Sequence, residues 1–365
     1  MILSQKKNKI ALIGYRLNGG GSDKVMANLS VFFESQGFDV TILIVLNEIS
    51  FPYSGTLVNL GLLKNESNGF FNKVKRLRAL HKYLNENKFD FIIDFRFRTK
   101  VIQELVLARF IYNTKTIFTV HSFLIDHYMP NNSWLTRLMY NHCYANVAIV
   151  EEMKMLIENK HRLENVVTIH NPVYLEEINT KCSEKINIEF DYIIAVGQYE
   201  NKIKQFEELI ASYAKSDLSQ KEIHLVILGK GNESDLQKVI LKNSISGFVH
   251  LFGYQVNPFK YISKARFLVL SSKNEGFSNV IAEALTCQTP VVTFDCDFGP
   301  RDLVKNLENG LLVKNQDWDK LTEAMNLFIE DETLYAYCKK NSFESVQPFL
   351  LEKIGQQWLN LMQVH

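Results

Sequence analysis

The chain predicts an α/β protein of two doubly wound, Rossmann-like domains facing each other across a cleft. Three observations carry this. Short apolar runs alternate with segments of helical period, the 365 residues exceed what one core usually serves, and the alternation runs twice in stretches of comparable length. In the first stretch, strand-like runs lie at 10–14, 40–46, 89–95, 115–120 and 146–150, with helical segments at 24–36, 72–85 and 134–144. The second repeats the order, with strands at 192–196, 224–228, 249–252, 267–270 and 290–293 and helices at 205–215, 233–243, 258–264 and 280–286. Short apolar strands separated by helices read as parallel sheets covered on both faces. Asn171-Pro172 and the polar stretch up to Phe190 interrupt the pattern, so domains of 1–178 and 179–345 are expected. The remainder, 346–365, has apolar residues at helical spacing over 349–362 and is expected to pack on a domain surface.

Composition narrows the function classes. Hydrophobic residues make up 46% and charged residues 22% of the chain, enough to bury two cores. A formal net charge of +1 argues against a nucleic-acid protein that works by bulk electrostatics. The five cysteines, Cys143, Cys182, Cys287, Cys296 and Cys338, have neither zinc nor redox-motif spacing, which favours reduced thiols in a cytosolic protein. A polar, basic N-terminal segment leads into Ile10-Ala-Leu-Ile13, too short an apolar run for a signal peptide. No run approaches the ~20 apolar residues needed to span a bilayer, so a soluble or peripheral protein is expected.

The richest motif is Glu275-Gly-Phe-Ser-Asn-Val-Ile-Ala-Glu283, followed by Ala284-Leu285 and Pro290-Val-Val-Thr. It follows the apolar run 265–272, so an acid stands at a strand-to-helix turn and a second on the helix itself. A helix N-terminus offers unpaired N–H groups and positive dipole to a phosphate. Acids on either side suit hydroxyl groups of whatever carries that phosphate, the outline of a sugar-nucleotide site. The pair does not fit a glycosidase, whose carboxylates face each other roughly 5–9 Å apart across one bond. Read alone, two acids at this spacing are more often solvated surface charge.

Other loops repeat the strand-then-glycine grammar. After the first strand comes Leu17-Asn-Gly-Gly-Gly-Ser-Asp-Lys, in which Gly20 and Gly21 permit a tight turn and close approach of a ligand, or simply a flexible turn. This is neither G-x-G-x-x-G nor a P-loop, so nicotinamide and ATP are unsupported. Val196-Gly197-Gln198-Tyr-Glu-Asn-Lys202-Ile-Lys204 offers two cations for a diphosphate, unless both are solvated. Ile227-Leu-Gly229-Lys-Gly231 and Asp297-Phe-Gly-Pro-Arg-Asp302 follow later strands. His121 ends the apolar strand 115–120, at the edge where open α/β sheets bind ligands, and has either a cleft or a structural role.

In this order, these motifs resemble the retaining glycosyltransferases of family 4, which have the GT-B fold. The resemblance spans essentially the whole chain and is most specific over 249–313, where Gly310-Leu-Leu-Val313 and the later Asp317 complete the family pattern. It implies that Glu275 binds hydroxyls of the donor sugar and that the turn Gly276, Phe277, Ser278, Asn279 and Val280 meets the diphosphate. It further implies that Glu283 binds the ribose and that the 346–365 segment crosses back to the N-terminal domain. Gly20 and Gly21 would let that domain close on the phosphates; Gly197 and Gly229 would border the donor; Lys204, with Lys202 as rival, would bind diphosphate; His121 would line the sugar and acceptor pocket. Glu275, His121 and Lys204 are thus the candidate catalytic residues. One departure stands out: Gln198 occupies the position where the family usually has Arg, and a neutral amide cannot clamp phosphate as a charged fork does. Arg301 or Lys230 could supply that charge.

The expected activity is retaining transfer of a hexosyl or N-acetylhexosaminyl group from a nucleoside-diphosphate sugar, with UDP favoured, to a hydroxyl of a glycan or lipid-linked acceptor. The expected setting is bacterial surface polysaccharide synthesis, capsule or O-antigen. Neither metal nor other cofactor is expected, since there is no Asp-x-Asp motif and the family generally needs none. A nonhydrolysing sugar-nucleotide epimerase and a non-catalytic sugar-nucleotide-binding partner subunit remain alternatives. On the acceptor side, 70–82 reads as a basic amphipathic helix with Phe71, Val74, Leu77 and Leu80 near one face, suited to an anionic membrane surface or to plain solvation. Arg96 and Arg98, at a strand end, are candidate contacts for an acceptor phosphate. Localisation is expected to be cytoplasmic or peripheral on the inner face of the cytoplasmic membrane.

Overall fold

The computed structural model describes residues 7–64, 69–200 and 202–364, with the Phe70 side chain left aside. The expected basic N-terminal segment before Lys7, and Asn201 of the Lys204 motif, lie outside the described residues.

Two compact units emerge. The first comprises residues 1–172 and 351–365, the second 173–350. In the first, β1 (Lys9–Gly14), β2 (Asp39–Ile44), β3 (Thr56–Asn59), β4 (Phe91–Asp94), β5 (Lys115–Val120), β6 (Ala145–Ala148) and β7 (Val166–Thr168) form one sheet. Its order is β3-β2-β1-β4-β5-β6-β7, and every pairing is parallel. Parallel neighbours need crossovers, supplied by α1 (Gly21–Ser35), α2 (Phe70–Asn87), α3 (Val101–Val106, continued by a π-turn Leu107–Ile111), α4 (Ser133–Tyr140) and α5 (Glu151–His161).

The second unit repeats the plan. It contains α6 (Leu175–Cys182), β8 (Asp191–Val196), α7 (Phe206–Lys215), β9 (Ile223–Leu228), α8 (Ser234–Lys242), β10 (Val249–Leu251), α9 (Phe259–Ile262) and β11 (Leu268–Leu270). There follow α10 (Asn279–Thr286), β12 (Val291–Asp295), α11 (Pro300–Leu303), β13 (Gly310–Lys314), α12 (Trp318–Glu330) and α13 (Glu332–Val346). The sheet runs β10-β9-β8-β11-β12-β13, all parallel. Its core joins Ile193, Ala195, Leu225 and Ile227 of the strands to Leu209, Tyr213, Leu321, Met325 and Phe328 of the helices.

In both sheets the strand order reverses once, between β1 and β4 and between β8 and β11. In open α/β sheets the loops leaving the strands at that point splay apart and leave a crevice for ligand. This is what positions the candidate site.

The last helix, α14 (Leu351–Met362), belongs to the first unit and packs on α1. A Cβ at Gly355 would lie 2.4 Å from the Phe32 ring, so the glycine permits the close approach. Tyr144 anchors the far end, its hydroxyl donating to the Leu361 carbonyl at 2.9 Å.

Two local expectations need correction. The helix expected over 134–144 stops at Tyr140, because its last carbonyl is taken by side chains of Cys143, Asn146 and Asn165 rather than by further helix. Phe71 does not share a face with Leu80: nine residues at 3.6 per turn place them on opposite sides of α2. Leu80 and Leu84 are buried, whereas Phe71 is 86% exposed. Among the described residues, no helix is long and apolar enough to cross a membrane.

Candidate donor site and the strand ends of the first unit

In the second unit, Lys204 follows β8 and Glu275 follows β11, the two strands that flank the reversal. Their side chains meet: Lys204 Nζ donates to Glu275 Oε1 at 2.6 Å, with side chains only 17% and 12% exposed. Three further contacts fix this pair. The Ser271 hydroxyl donates to the Lys204 carbonyl at 2.6 Å, and the Lys273 amide donates to the Ile203 carbonyl at 2.8 Å, joining the two loops. The aliphatic stem of Lys204 lies over Gly197, where a Cβ would sit 2.9 Å from Lys204 Cγ. Gly197 in turn abuts Gly229: a Cβ on Gly229 would fall 1.8 Å from the Gly197 carbonyl oxygen, which no rearrangement of a side chain could relieve. The Tyr199 hydroxyl closes this corner, donating to the Ile227 carbonyl and accepting from the Gly253 amide.

Beyond Glu275 the chain turns into α10. Ser278 takes a left-handed conformation (φ 65°) at the helix N-cap, a costly backbone for a residue with a Cβ. Its buried hydroxyl oxygen makes no hydrogen bond, although buried polar atoms rarely go unsatisfied. Phe277 is buried and packs on Phe349, which anchors the turn. Gly276 lies under Gly299, whose own Cβ would approach the Gly276 carbonyl oxygen to 2.4 Å. Asn279 and Val280 open the helix half-buried, and Glu283 lies one turn further along, also half-buried. The result is a helix N-terminus, an unsatisfied hydroxyl and a fixed Lys–Glu pair on loops from adjacent strands. Such a set can hold an anion and hydroxyl groups together.

The other polar groups considered from sequence take no part in this ion pair. Lys202 is exposed, and its charge acts on Asp235. Gln198 and Lys230 are exposed. Arg301 donates through Nε to Asp295 at 3.0 Å.

In the first unit, the loop after β1 places Gly20 as N-cap of α1 and Gly21 as its first residue. Asp23, not singled out in the sequence, governs this loop. Its carboxylate reaches back to the Gly20 amide and lies 3.5 Å from Arg16, which is itself held at 2.7 Å by Glu48. Burial raises the Asp23 pKa to about 6, only partly opposed by Arg16. Folding therefore takes up a proton here: the gain is complete below the unfolded value of 3.8 and is lost as pH rises through about 6. Asp23→Asn is expected to stabilise the protein on the order of 1–3 kcal/mol near pH 8, with the advantage shrinking by pH 5. Thermal melts across this range check it; a less stable variant near pH 8 would refute it.

His121 follows β5 and stacks on Phe95 at 5.7 Å. Its ring nitrogens are buried, and burial pushes its pKa down to about 3, with the Asn171 side chain pulling the other way. The imidazole is therefore neutral at physiological pH, a hydrogen-bonding group rather than a cation.

Arg96 and Arg98 do not stand free for an acceptor phosphate. Arg96 is 4% exposed and pairs with Asp94 at 2.7 Å and Glu104 at 2.9 Å, with the Tyr112 hydroxyl completing the cluster. Arg98 is 1% exposed and donates to the backbone carbonyls of Tyr128, Asp94, Arg96 and Thr119. Alternation along the strand end puts Asp94, Arg96 and Arg98 on one side, and that side faces inward. The Asp-x-Arg spacing was visible in the sequence; its burial was not.

Two all-parallel Rossmann-like units, of seven and six strands, each with one strand-order reversal, have the architecture of the GT-B glycosyltransferases. Comparisons with known proteins agree. The model of "Glycosyltransferase Family 4" matches residues 19–177, and that of "Glycosyl transferases group 1" matches 178–345. Among relatives, an N-acetylgalactosamine-N,N'-diacetylbacillosaminyl-diphospho-undecaprenol 4-alpha-N-acetylgalactosaminyltransferase of Campylobacter jejuni is 27% identical, covering 97% of this chain and 99% of the relative. A second enzyme of that organism, a GalNAc-alpha-(1->4)-GalNAc-alpha-(1->3)-diNAcBac-PP-undecaprenol alpha-1,4-N-acetyl-D-galactosaminyltransferase, is 25% identical over 97% of this chain and 98% of its own. The crystal structure of Anabaena HepE in complex with UDP and glucose superposes with a TM-score of 0.78 at 17% identity, covering 98% of this chain and 99% of that one. The chain belongs to the family 4-like glycosyltransferases of GT-B fold.

Proposed function

We propose that this protein transfers a sugar from a UDP-sugar to a hydroxyl of a lipid-linked or polysaccharide acceptor in surface-glycan synthesis, with retention at the anomeric carbon. The observation that carries the donor half is the Lys204–Glu275 pair beside the α10 N-terminus. Lys204 and the amides at Gly276, Phe277, Ser278, Asn279 and Val280 offset charge on the departing diphosphate without a metal ion, a preorganised electrostatic role. Glu275 takes hydroxyls of the sugar, and Glu283 the ribose hydroxyls. On retention, the acceptor oxygen attacks the anomeric carbon from the side the diphosphate leaves, and a phosphate oxygen receives the acceptor's proton. In the first unit, the neutral His121 ring offers a hydrogen-bonding group to the acceptor.

The acceptor class rests on the two Campylobacter relatives, whose names specify undecaprenol-diphosphate-linked glycans. The outward face of α2 suits the membrane bearing such a substrate. Exposed Phe71, Lys75, Arg78 and Lys82 fall within about 60° of one another at 100° per residue, an apolar anchor beside a row of cations. This reading makes the protein peripheral on an anionic surface.

The test is a product screen. UDP- and GDP-sugars are incubated with undecaprenyl-diphosphate glycans, in the presence and absence of EDTA, and products are read by mass spectrometry and NMR. Transfer from a UDP-sugar with an α-linkage, undiminished by EDTA, is expected. Conversion of donor without acceptor would favour an epimerase, and donor binding without any turnover would favour a non-catalytic partner subunit.

A further inference from the structure

Cys182 ends α6, and Cys287 caps the C-terminal end of α10, the helix whose other end is Ser278 and Asn279. The two cysteines are 105 positions apart in sequence, yet their sulfurs approach to 3.2 Å. Both are free thiols and partly exposed. The other cysteines differ in kind: burial pushes the Cys143 and Cys296 thiols up to about 12 and that of Cys338 up to about 11. Cys182 moves the opposite way, to about 7, chiefly because Cys287 donates to it, helped by the Ser263 hydroxyl and the Lys264 charge. Cys287 is correspondingly held protonated by Cys182, by burial and by the charge of Glu283. The pair shares one readily lost proton, the state in which a thiolate is nucleophilic and its partner is poised beside it.

We propose that Cys182 and Cys287 form a thiol–disulfide exchange site that ties α6 to α10 reversibly. The oxidant is a low-molecular-weight disulfide. The Cys182 thiolate attacks one of its sulfurs, forming a mixed disulfide and releasing one small thiolate. That thiolate takes the Cys287 proton, and Cys287 attacks Cys182 Sγ, expelling the second small thiolate, which picks up a proton from water. Two protein thiols are oxidised and one small disulfide is reduced to two thiols. The sulfurs need close only from 3.2 Å to the ~2.05 Å of a disulfide, and they start from separate elements already packed together. The thiol poise of the surroundings is thereby read at the helix that carries Glu283.

The experiment treats the full-length protein with oxidised glutathione, alkylates the remaining thiols, and maps cross-linked peptides by mass spectrometry. One cross-link between Cys182 and Cys287 is expected, with two fewer alkylated thiols and full reversal by dithiothreitol. Cys287→Ser should stop at glutathione on Cys182, while Cys182→Ser should leave Cys287 largely unreacted. Persistent glutathione on Cys182 of the native chain with Cys287 alkylated, or no reaction at Cys182 at all, would overturn the proposal.

Discussion

Glu275→Gln is expected to leave UDP binding intact or slightly tighter while reducing transfer roughly 10²–10³-fold. The asymmetry follows from the 2.6 Å contact with Lys204. Glutamine keeps the shape of the side chain but removes the negative charge, so Lys204 presents more positive potential to a diphosphate. On the role proposed for Glu275, what is lost is the charged acceptor for sugar hydroxyls, which matters only when a sugar is attached. Lys204→Ala acts on the other partner and should weaken UDP and UDP-sugar alike, roughly 100-fold for one charge-assisted contact removed. It also leaves the Glu275 carboxylate, 12% exposed, unneutralised beside an incoming diphosphate. Calorimetric titration with UDP and with the UDP-sugar separates the two cases. Equal loss of UDP affinity in both variants would mean that Glu275 and Lys204 hold only each other.

Arg96→Met should destabilise the first unit by about 3–5 kcal/mol, because it strips the shared cation from two buried carboxylates. Asp94 is 0% and Glu104 2% exposed, so neither can turn to water without rearrangement. For a unit of this size that amounts to a fall in melting temperature of roughly 6–20 °C. The Asp94 carboxyl is held below its ordinary range by the Arg96 and Arg98 charges against its own burial, so the wild-type contribution is present above pH 3.8 and lost only in stronger acid. In the variant both carboxyls lose the Arg96 charge, keep only that of Arg98, and favour protonation more, so stability should recover as pH falls toward 5. Melting curves at several pH values read this directly; a wild-type-like melt near neutrality would return Arg96 to the list of acceptor contacts.

How much of this was legible beforehand depended on burial. The strand 115–120 was read to the residue, since Lys115–Val120 is an interior strand, buried from Thr116 onward and rich in β-branched and aromatic residues. Strands β3, β7 and β13 were not recognised as strands. All three are edge strands of three to five residues, and β3 is exposed or half-exposed throughout, so neither run length nor alternation marks them. Helix α12 did carry a signal, an Asp317 N-cap followed by Leu321, Ala324, Met325 and Phe328 at helical spacing, which went unused. At the site, Glu275 and Lys204 were legible because each follows an apolar strand and a small or glycine residue. That Lys204 rather than Lys202 pairs with Glu275 needed coordinates. Arg96 and Arg98 show the opposite limit: a cation at a strand end looks the same in sequence whether it faces solvent or a buried carboxylate.

The return of α14 to the first unit has a consequence for how the protein is made. Chain order and unit order disagree: residues 173–350 are complete in themselves, whereas the first unit waits for residues 351–365. During synthesis the second unit can fold as soon as it clears the ribosome, while α1 still presents Phe32 without the helix that covers it. The half of the protein that begins first is therefore the last to be finished, and its exposed apolar face persists for the whole time the second unit is being built.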